Sequence, residues 1–248
     1  MTSQLNREPL RPDQVRRRRG LGFTTGELIR VDQLTPRLRR LHVAAPGLVW
    51  TPGQHVRVVV SGPARSWTAA FLPGGTLRTY SVFDYDGSVL QICVLDHGDG
   101  PGARWARAAR PGDLVRLSAP QGRMVVQPAP YFLFAGEETA AVTFAPMLRT
   151  LGTARVYGVI EVDSRGDRLP LHAGLTWRYR EGRPAAGSYG LVAALAGLDL
   201  PSKPGLAYVA GEARTVQGVR SHLVRERGWP RRQLVTKPYW TPGRTGLD

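Results

Sequence analysis

The sequence predicts β + α/β architecture: a six-stranded antiparallel β-barrel followed by a parallel-sheet α/β domain. Three observations carry this. Up to residue 117, short apolar runs are punctuated by Gly, Pro and Asp turns roughly every ten residues, the pattern of a closed all-β unit. From residue 131 onward, apolar strand runs alternate with helical periods, which implies a parallel sheet. Between the two lies Gln127-Pro128-Ala129-Pro130, a proline-punctuated linker.

Residues 1–20 are polar and carry the block Arg16-Arg17-Arg18-Arg19, so they are expected to form a disordered basic arm. Strands are expected at 26–31, 38–43, 55–60, 77–83, 89–95 and 114–117, with a loop over 61–76 and a short helix at 103–109. The second half predicts strands at 131–135, 156–162, 207–210 and 234–236, and helices at 138–151, 189–196 and 215–227. In the last helix Val216, Val219, Leu223 and Val224 share one stripe. The expected domains are 21–128 for the barrel and 129–248 for the α/β unit.

The composition, 42% hydrophobic and 21% charged, supports a sizeable core. With 34 basic and 19 acidic residues the net charge is +15, which favours an anionic partner. The arginines are spread along the chain without a reading helix or an aromatic RNA-binding signature, so no specific nucleic acid is expected. The single cysteine, Cys93, excludes an intrachain disulfide, and the five histidines show no ligand spacing, so no metal site is expected. No apolar run reaches the roughly 18 residues of a membrane span, and the N-terminus lacks a secretory pattern. A cytoplasmic monomer is the expectation.

The candidate site begins with Arg78-Thr79-Tyr80-Ser81-Val82, where a cation and an aromatic alternate with hydroxyl residues in a strand. Downstream, His97-Gly98-Asp99-Gly100-Pro101-Gly102 is a glycine-rich turn opening a helix. Together they suit a flat aromatic ligand with a phosphate tail: the strand offers a ring-packing face and a cation, the turn offers backbone N–H groups. Two expected strand ends carry similar signals, Ala135-Gly136-Glu137-Glu138-Thr139-Ala140 and Ala210-Gly211-Glu212-Ala213. Each joins a glycine to an acidic residue at a helix start, and together they outline a crevice at the carboxyl edge of the sheet. Neither matches G-x-G-x-x-G. Ser66 and Ser188 lack the nucleophile-elbow context, so hydrolysis has no support.

These segments resemble the siderophore-interacting protein family, the FAD-dependent ferric-siderophore reductases. The likeness also runs through Leu34-Thr35-Pro36-Arg37-Leu38-Arg39-Arg40, Pro52-Gly53-Gln54-His55-Val56-Arg57, Ala109-Arg110-Pro111-Gly112-Asp113, Ile160-Glu161-Val162 and Tyr239-Trp240, in family order over about residues 24–243. The resemblance implies FAD and a nicotinamide donor, NADPH or NADH. Arg78, Thr79, Tyr80, Ser81 and Val82 would hold the flavin and its chain. His97, Gly98, Gly102, Ala103 and Trp105 would surround the pyrophosphate. Gly136, Glu138 and Thr139 would meet the nicotinamide, Thr139 facing the flavin. Gly211, Glu212 and Ala213 would line the same crevice, with Tyr239 and Trp240 as a C-terminal aromatic lid. Arg57 and Lys237, then Arg123 and Arg244, would attract an anionic ferric chelate. No catalytic acid, base or nucleophile is implied, because the cofactor performs the chemistry.

The sequence departs from the family where Glu137 stands for aspartate, where Ala141 and Val142 stand for leucine and proline, and where Pro238 and Thr241 flank the Tyr-Trp pair. The altered turn over residues 136–144 motivates a second expectation. In it, a flavoprotein of this family is diverted to a biosynthetic pathway, acting on an organic substrate or supplying electrons to a partner.

Overall fold

The computed structural model describes residues 22–60 and 76–244. The expected basic arm, and all but the last residue of the expected loop at 61–76, lie outside them. Strands β1 (Phe23–Gln33), β2 (Leu38–Ala44), β3 (His55–Val60), β4 (Thr76–Tyr85), β5 (Val89–Leu95) and β6 (Leu114–Ser118) close a barrel in the order β1-β2-β5-β4-β3-β6. Helix α1 (Pro101–Ala108) sits between β5 and β6. The barrel follows from period-two patterning: in β3, Val56, Val58 and Val60 are buried while His55, Arg57 and Val59 are not. The inward set joins Leu28, Leu41, Val82, Ile92 and Leu117 in one core.

The second half is a five-stranded parallel sheet ordered β11-β10-β7-β8-β9. Its strands are β7 (Phe132–Glu137), β8 (Val156–Val162), β9 (Leu175–Tyr179), β10 (Leu206–Glu212) and β11 (Leu234–Trp240). Its helices are α2 (Glu138–Arg149), α3 (Tyr189–Ala196) and α4 (Ala213–Ser221). All six residues of β7 are buried, as a central parallel strand covered on both faces requires. Phe132 and Phe134 pack towards α2, and Leu133 and Ala135 pack towards α3 and α4.

Three expectations need correction. Strand β9 was not expected, the segment expected as one helix over 215–227 is α4 followed by a π-helical turn at His222–Glu226, and β11 runs to Trp240 instead of ending at 236. Tyr239 and Trp240 are therefore residues of the edge strand, Trp240 paired with Glu212 of β10, and both line the cleft described below.

The chain steps outward from β7 to β8 and β9, then returns to β10 on the other side of β7. The strand order thus reverses between β7 and β10, where ligands of open parallel sheets bind beyond the carboxyl ends. Helix α2 leaves that edge and packs on barrel strand β4.

Candidate functional site

Strand β4 has two working faces. Arg78 and Tyr80 are paired with inward Val58 and Val56, and so share a face with Val82. Their side chains approach α1: a Cβ at Gly102 would stand 2.3 Å from Tyr80 Oη, and Tyr80 stacks on Trp105 with centroids 6.0 Å apart. Only glycine at 102 leaves room for that hydroxyl. Burial pushes the Tyr80 phenol well above its ordinary value, with the Arg78 charge opposing, so it stays a neutral hydroxyl. Ser81 faces the other way and meets Thr143 of α2, oxygen to oxygen 2.6 Å.

Helix α1 starts at Gly100 with no side-chain cap, no acidic residue in its first turn and proline at its opening. Its free N–H groups and the positive end of its dipole are left to a ligand. Gly98 has φ +112°, a conformation that makes glycine the fitting residue in this turn.

At the sheet edge, Gly136 and Gly211 permit close packing of β7 on β10. A Cβ on Gly136 would lie 2.4 Å from the Ala210 carbonyl oxygen, and one on Gly211 would lie 2.6 Å from Glu137 Oε1. Glu137 is 1% exposed. It accepts hydrogen bonds from the Thr139 N–H at 2.8 Å, from the Thr139 hydroxyl, and from Trp240 Nε1 at 3.0 Å. Burial, then the neighbouring Glu138 charge, push its carboxyl up to about 7. Trp240 in turn stacks on His97 with centroids 6.0 Å apart. Lys237 Nζ, which can only donate, reaches His55 Nδ1 at 2.8 Å.

These elements enclose a cleft of about 260 Å³ between barrel and sheet. Of the expected residues it is lined by Arg78, Thr79, Tyr80, Ser81, His97, Gly102, Ala103, Thr139, Lys237, Tyr239, Trp240 and Arg244. Gly98 and Trp105 flank it. Gly136, Gly211 and Ala213 shape the strand-to-helix junctions behind it.

Other expected residues lie elsewhere. Val82 shares its face with Tyr80 but is 0% exposed within the barrel core and does not line the cleft. Glu138 is committed to Arg180, whose Nη1 donates to Oε2 at 2.8 Å, and to the Asp163 N–H at 2.9 Å. Glu212 is fully buried; burial opposes its ionisation, yet the N–H groups of Gly187, Arg214 and Thr215 hold its carboxyl below the ordinary value. It caps α4 and anchors the loop before α3. Arg57 lies on β3 opposite Thr79, and Arg123 is exposed beyond β6. Neither lines the cleft.

His55, not among the expected site residues, also lines the cleft. The sequence reading missed Thr143, whose role depends on how α2 meets β4, and the wall formed by Leu38, Cys93, Val94 and Leu95. Burial pushes the Cys93 thiol up to about 12, which disfavours its thiolate.

Comparison with known proteins settles the family. Residues 27–124 match the siderophore-interacting FAD-binding domain, and residues 129–243 match the siderophore-interacting protein domain. The chain belongs to the siderophore-interacting protein family. It is 26% identical to the ferric vibriobactin reductase ViuB of Vibrio cholerae, covering 88% of this chain and 89% of that protein. A siderophore utilization protein from T. fusca superposes with TM-score 0.79 at 27% identity, over 91% of this chain and 95% of that one. The siderophore-interacting protein SipS of Aeromonas hydrophila gives TM-score 0.73 at 26% identity, over 88% and 98%. The barrel-plus-sheet arrangement is the ferredoxin-reductase-like fold, and the family places the chain among oxidoreductases with an FAD-binding domain. Among the described residues no helix is long and apolar enough to cross a membrane.

Proposed function

We propose that this protein is an FAD-dependent reductase, driven by NADPH or NADH, that passes electrons to an Fe(III)-siderophore and so releases Fe(II). One observation carries the reading. A single cleft brings the Arg78-Thr79-Tyr80-Ser81 strand, the uncapped N-terminus of α1 and the β7–β10 switch point together. The cleft fits FAD: a cation, hydroxyls and aromatic rings line it, and among the described residues the α1 N-terminus has no side-chain cap. The ferric vibriobactin reductase among the relatives supports the substrate class.

In this reading residues 21–128 hold FAD and residues 129–248 receive the nicotinamide. Bound FAD would accept a hydride and release electrons singly. The protein supplies position and field. Arg78 and the α1 N-terminus hold the pyrophosphate, and Tyr80, Ser81 and Thr139 orient the ring. Lys237 and Arg244, which line the cleft, attract the anionic chelate, with Arg57 and Arg123 adding to the positive field from outside it. Tyr239 and Trp240 shield the ring from solvent. The protein acts as a monomer in the cytoplasm.

The test is an FAD titration of purified protein, then anaerobic addition of NADPH or NADH, then a ferric siderophore with a colorimetric Fe(II) trap. Saturable binding and Fe(II) formation only with both reductant and chelate support the proposal. Absence of FAD binding, or of Fe(II) from bound and reduced FAD, overturns it.

A second reading, a flavoprotein serving an organic substrate or a partner, is favoured by the Trp240–Glu137 contact, which places an indole across the switch point. The bulk of Phe144 gives it no support: that ring is fully buried against Phe134, away from the cleft. Failure of either nicotinamide to reduce bound FAD would decide for this second reading.

A further inference from the structure

The hydroxyls of Ser81, Thr143 and Tyr239 form an unbroken chain across three elements. Ser81 Oγ lies 2.6 Å from Thr143 Oγ1, and Thr143 Oγ1 lies 2.7 Å from Tyr239 Oη. Thr143 is fully buried, while Ser81 and Tyr239 line the cleft. Beyond Tyr239 the next partner is Met124 Sδ at 3.5 Å, a weak acceptor. Burial pushes the Tyr239 phenol up to about 12, so it remains a protonated hydroxyl.

A hydroxyl donates one proton and accepts through its lone pairs, so this chain has two proton orderings. In one, Ser81 donates to Thr143, Thr143 to Tyr239, and Tyr239 to the Met124 sulfur. The Ser81 oxygen then offers the cleft a lone pair. In the other, Tyr239 donates to Thr143, Thr143 donates to Ser81, and the Ser81 proton points into the cleft. The switch needs three O–H rotations and no heavy-atom movement. The reversal forfeits only the weak contact to sulfur.

We propose that Ser81, Thr143 and Tyr239 act as a reversible hydrogen-bond relay that serves a cleft ligand whose facing nitrogen alternates between bare and protonated. This rests on the FAD reading, since flavin reduction converts a ring nitrogen from acceptor to N–H donor. With reduced ligand, Ser81 accepts from the N–H and donates its own O–H to Thr143. With oxidised ligand, Ser81 donates and is supported by Thr143. Thr143 and Tyr239 are positioning residues acting through Ser81, and they balance affinity between the two redox forms.

The test compares the full-length protein with Thr143→Val and Tyr239→Phe. The readouts are the dissociation constant for oxidised FAD, by fluorescence quenching, and the two-electron midpoint potential, by dye equilibration. Each variant strands one buried proton in the ordering that suits reduced ligand, and an orphaned donor is the costlier defect. Affinity for reduced FAD is therefore expected to fall about tenfold relative to oxidised FAD, which lowers the potential by about 30 mV. A control, Arg149→Met, removes a different bridge, from Arg149 Nη2 to the Phe83 carbonyl at 2.8 Å, and is expected to lower stability without moving the potential. If one chain variant fails to fold, the other carries the test. FAD bound by both or either folded variant at an unchanged potential overturns the relay and leaves the flavin reading standing. No FAD binding by the unmodified protein overturns both.

Discussion

The indole N–H of Trp240, on the edge strand β11, donates to the buried carboxylate of Glu137 at the end of β7, 3.0 Å away across β10. The contact ties the aromatic end of the chain to the switch point. It has a pH signature. The folded-state pKa of Glu137, about 7, lies above its ordinary 4.5. Its contribution to stability is therefore full below the ordinary value and is lost as pH rises through about 7. The melting temperature of the unmodified protein should fall relative to Glu137→Gln between about pH 5 and 8. A pH-independent difference between the two would refute this assignment.

Gly102→Ala should impair cofactor binding as well as folding. The added Cβ would meet Tyr80 Oη at 2.3 Å, so the tyrosine must move. Overpacking of this kind costs about 1–3 kcal/mol. Because Tyr80 borders the cleft, FAD affinity should drop about tenfold or more, the equivalent of about 1.4 kcal/mol. Gly98→Ala meets nothing within 4 Å and should act only through its backbone, lowering stability by about 1 kcal/mol. Chemical denaturation and FAD titration of both variants separate the two effects.

Arg180→Met should be the most damaging change away from the cleft. Arg180 and Glu138 form a bidentate pair, with side chains 5% and 1% exposed. Removing the cation leaves the buried carboxylate with only the Asp163 N–H at 2.9 Å and the part-exposed Arg37 at 3.4 Å, at a cost of up to about 3–5 kcal/mol. The double variant Arg180→Met, Glu138→Gln should regain a large part of that loss. Thermal unfolding of the single and double variants checks this.

Lys237→Gln should raise KM for an anionic ferric chelate several-fold, about 3- to 10-fold, with a smaller effect on kcat. It should also flatten the dependence of kcat/KM on ionic strength, since the lost term is long-range attraction. Steady-state kinetics at two salt concentrations measure both. A KM that does not change would remove Lys237 from the substrate path.

The barrel and the parallel sheet were legible because both rest on local periodicity, as in the inward valines of β3 and the continuous apolar run of β7. Strand β9 was not. Its sequence, Leu-Thr-Trp-Arg-Tyr, buries one residue fully and lies at a sheet edge, so tertiary pairing defines it. Strand β11 was underestimated because Pro238 reads as a stop, yet an edge strand tolerates a proline. The cleft was legible as motifs but not as an assembly. Glu138 carried the motif's acidic signal, and its partner, 42 residues away in sequence, could only be found in the fold. Thr143 looked like helix interior because its partners come from β4 and β11.

Leu38, Cys93 and Leu95 of the barrel belong to the same buried cluster as Phe134, Phe144 and Tyr208 of the sheet unit. Part of the wall between the two halves is thus hydrocarbon packed on hydrocarbon, beside polar contacts such as Ser81 to Thr143. Apolar packing of this kind would resist a hinge opening between the halves. Entry would then depend on the side chains at the cleft rim, Trp240 and Arg244 among them. Selectivity in this molecule is then a matter of thickness and charge at a standing aperture.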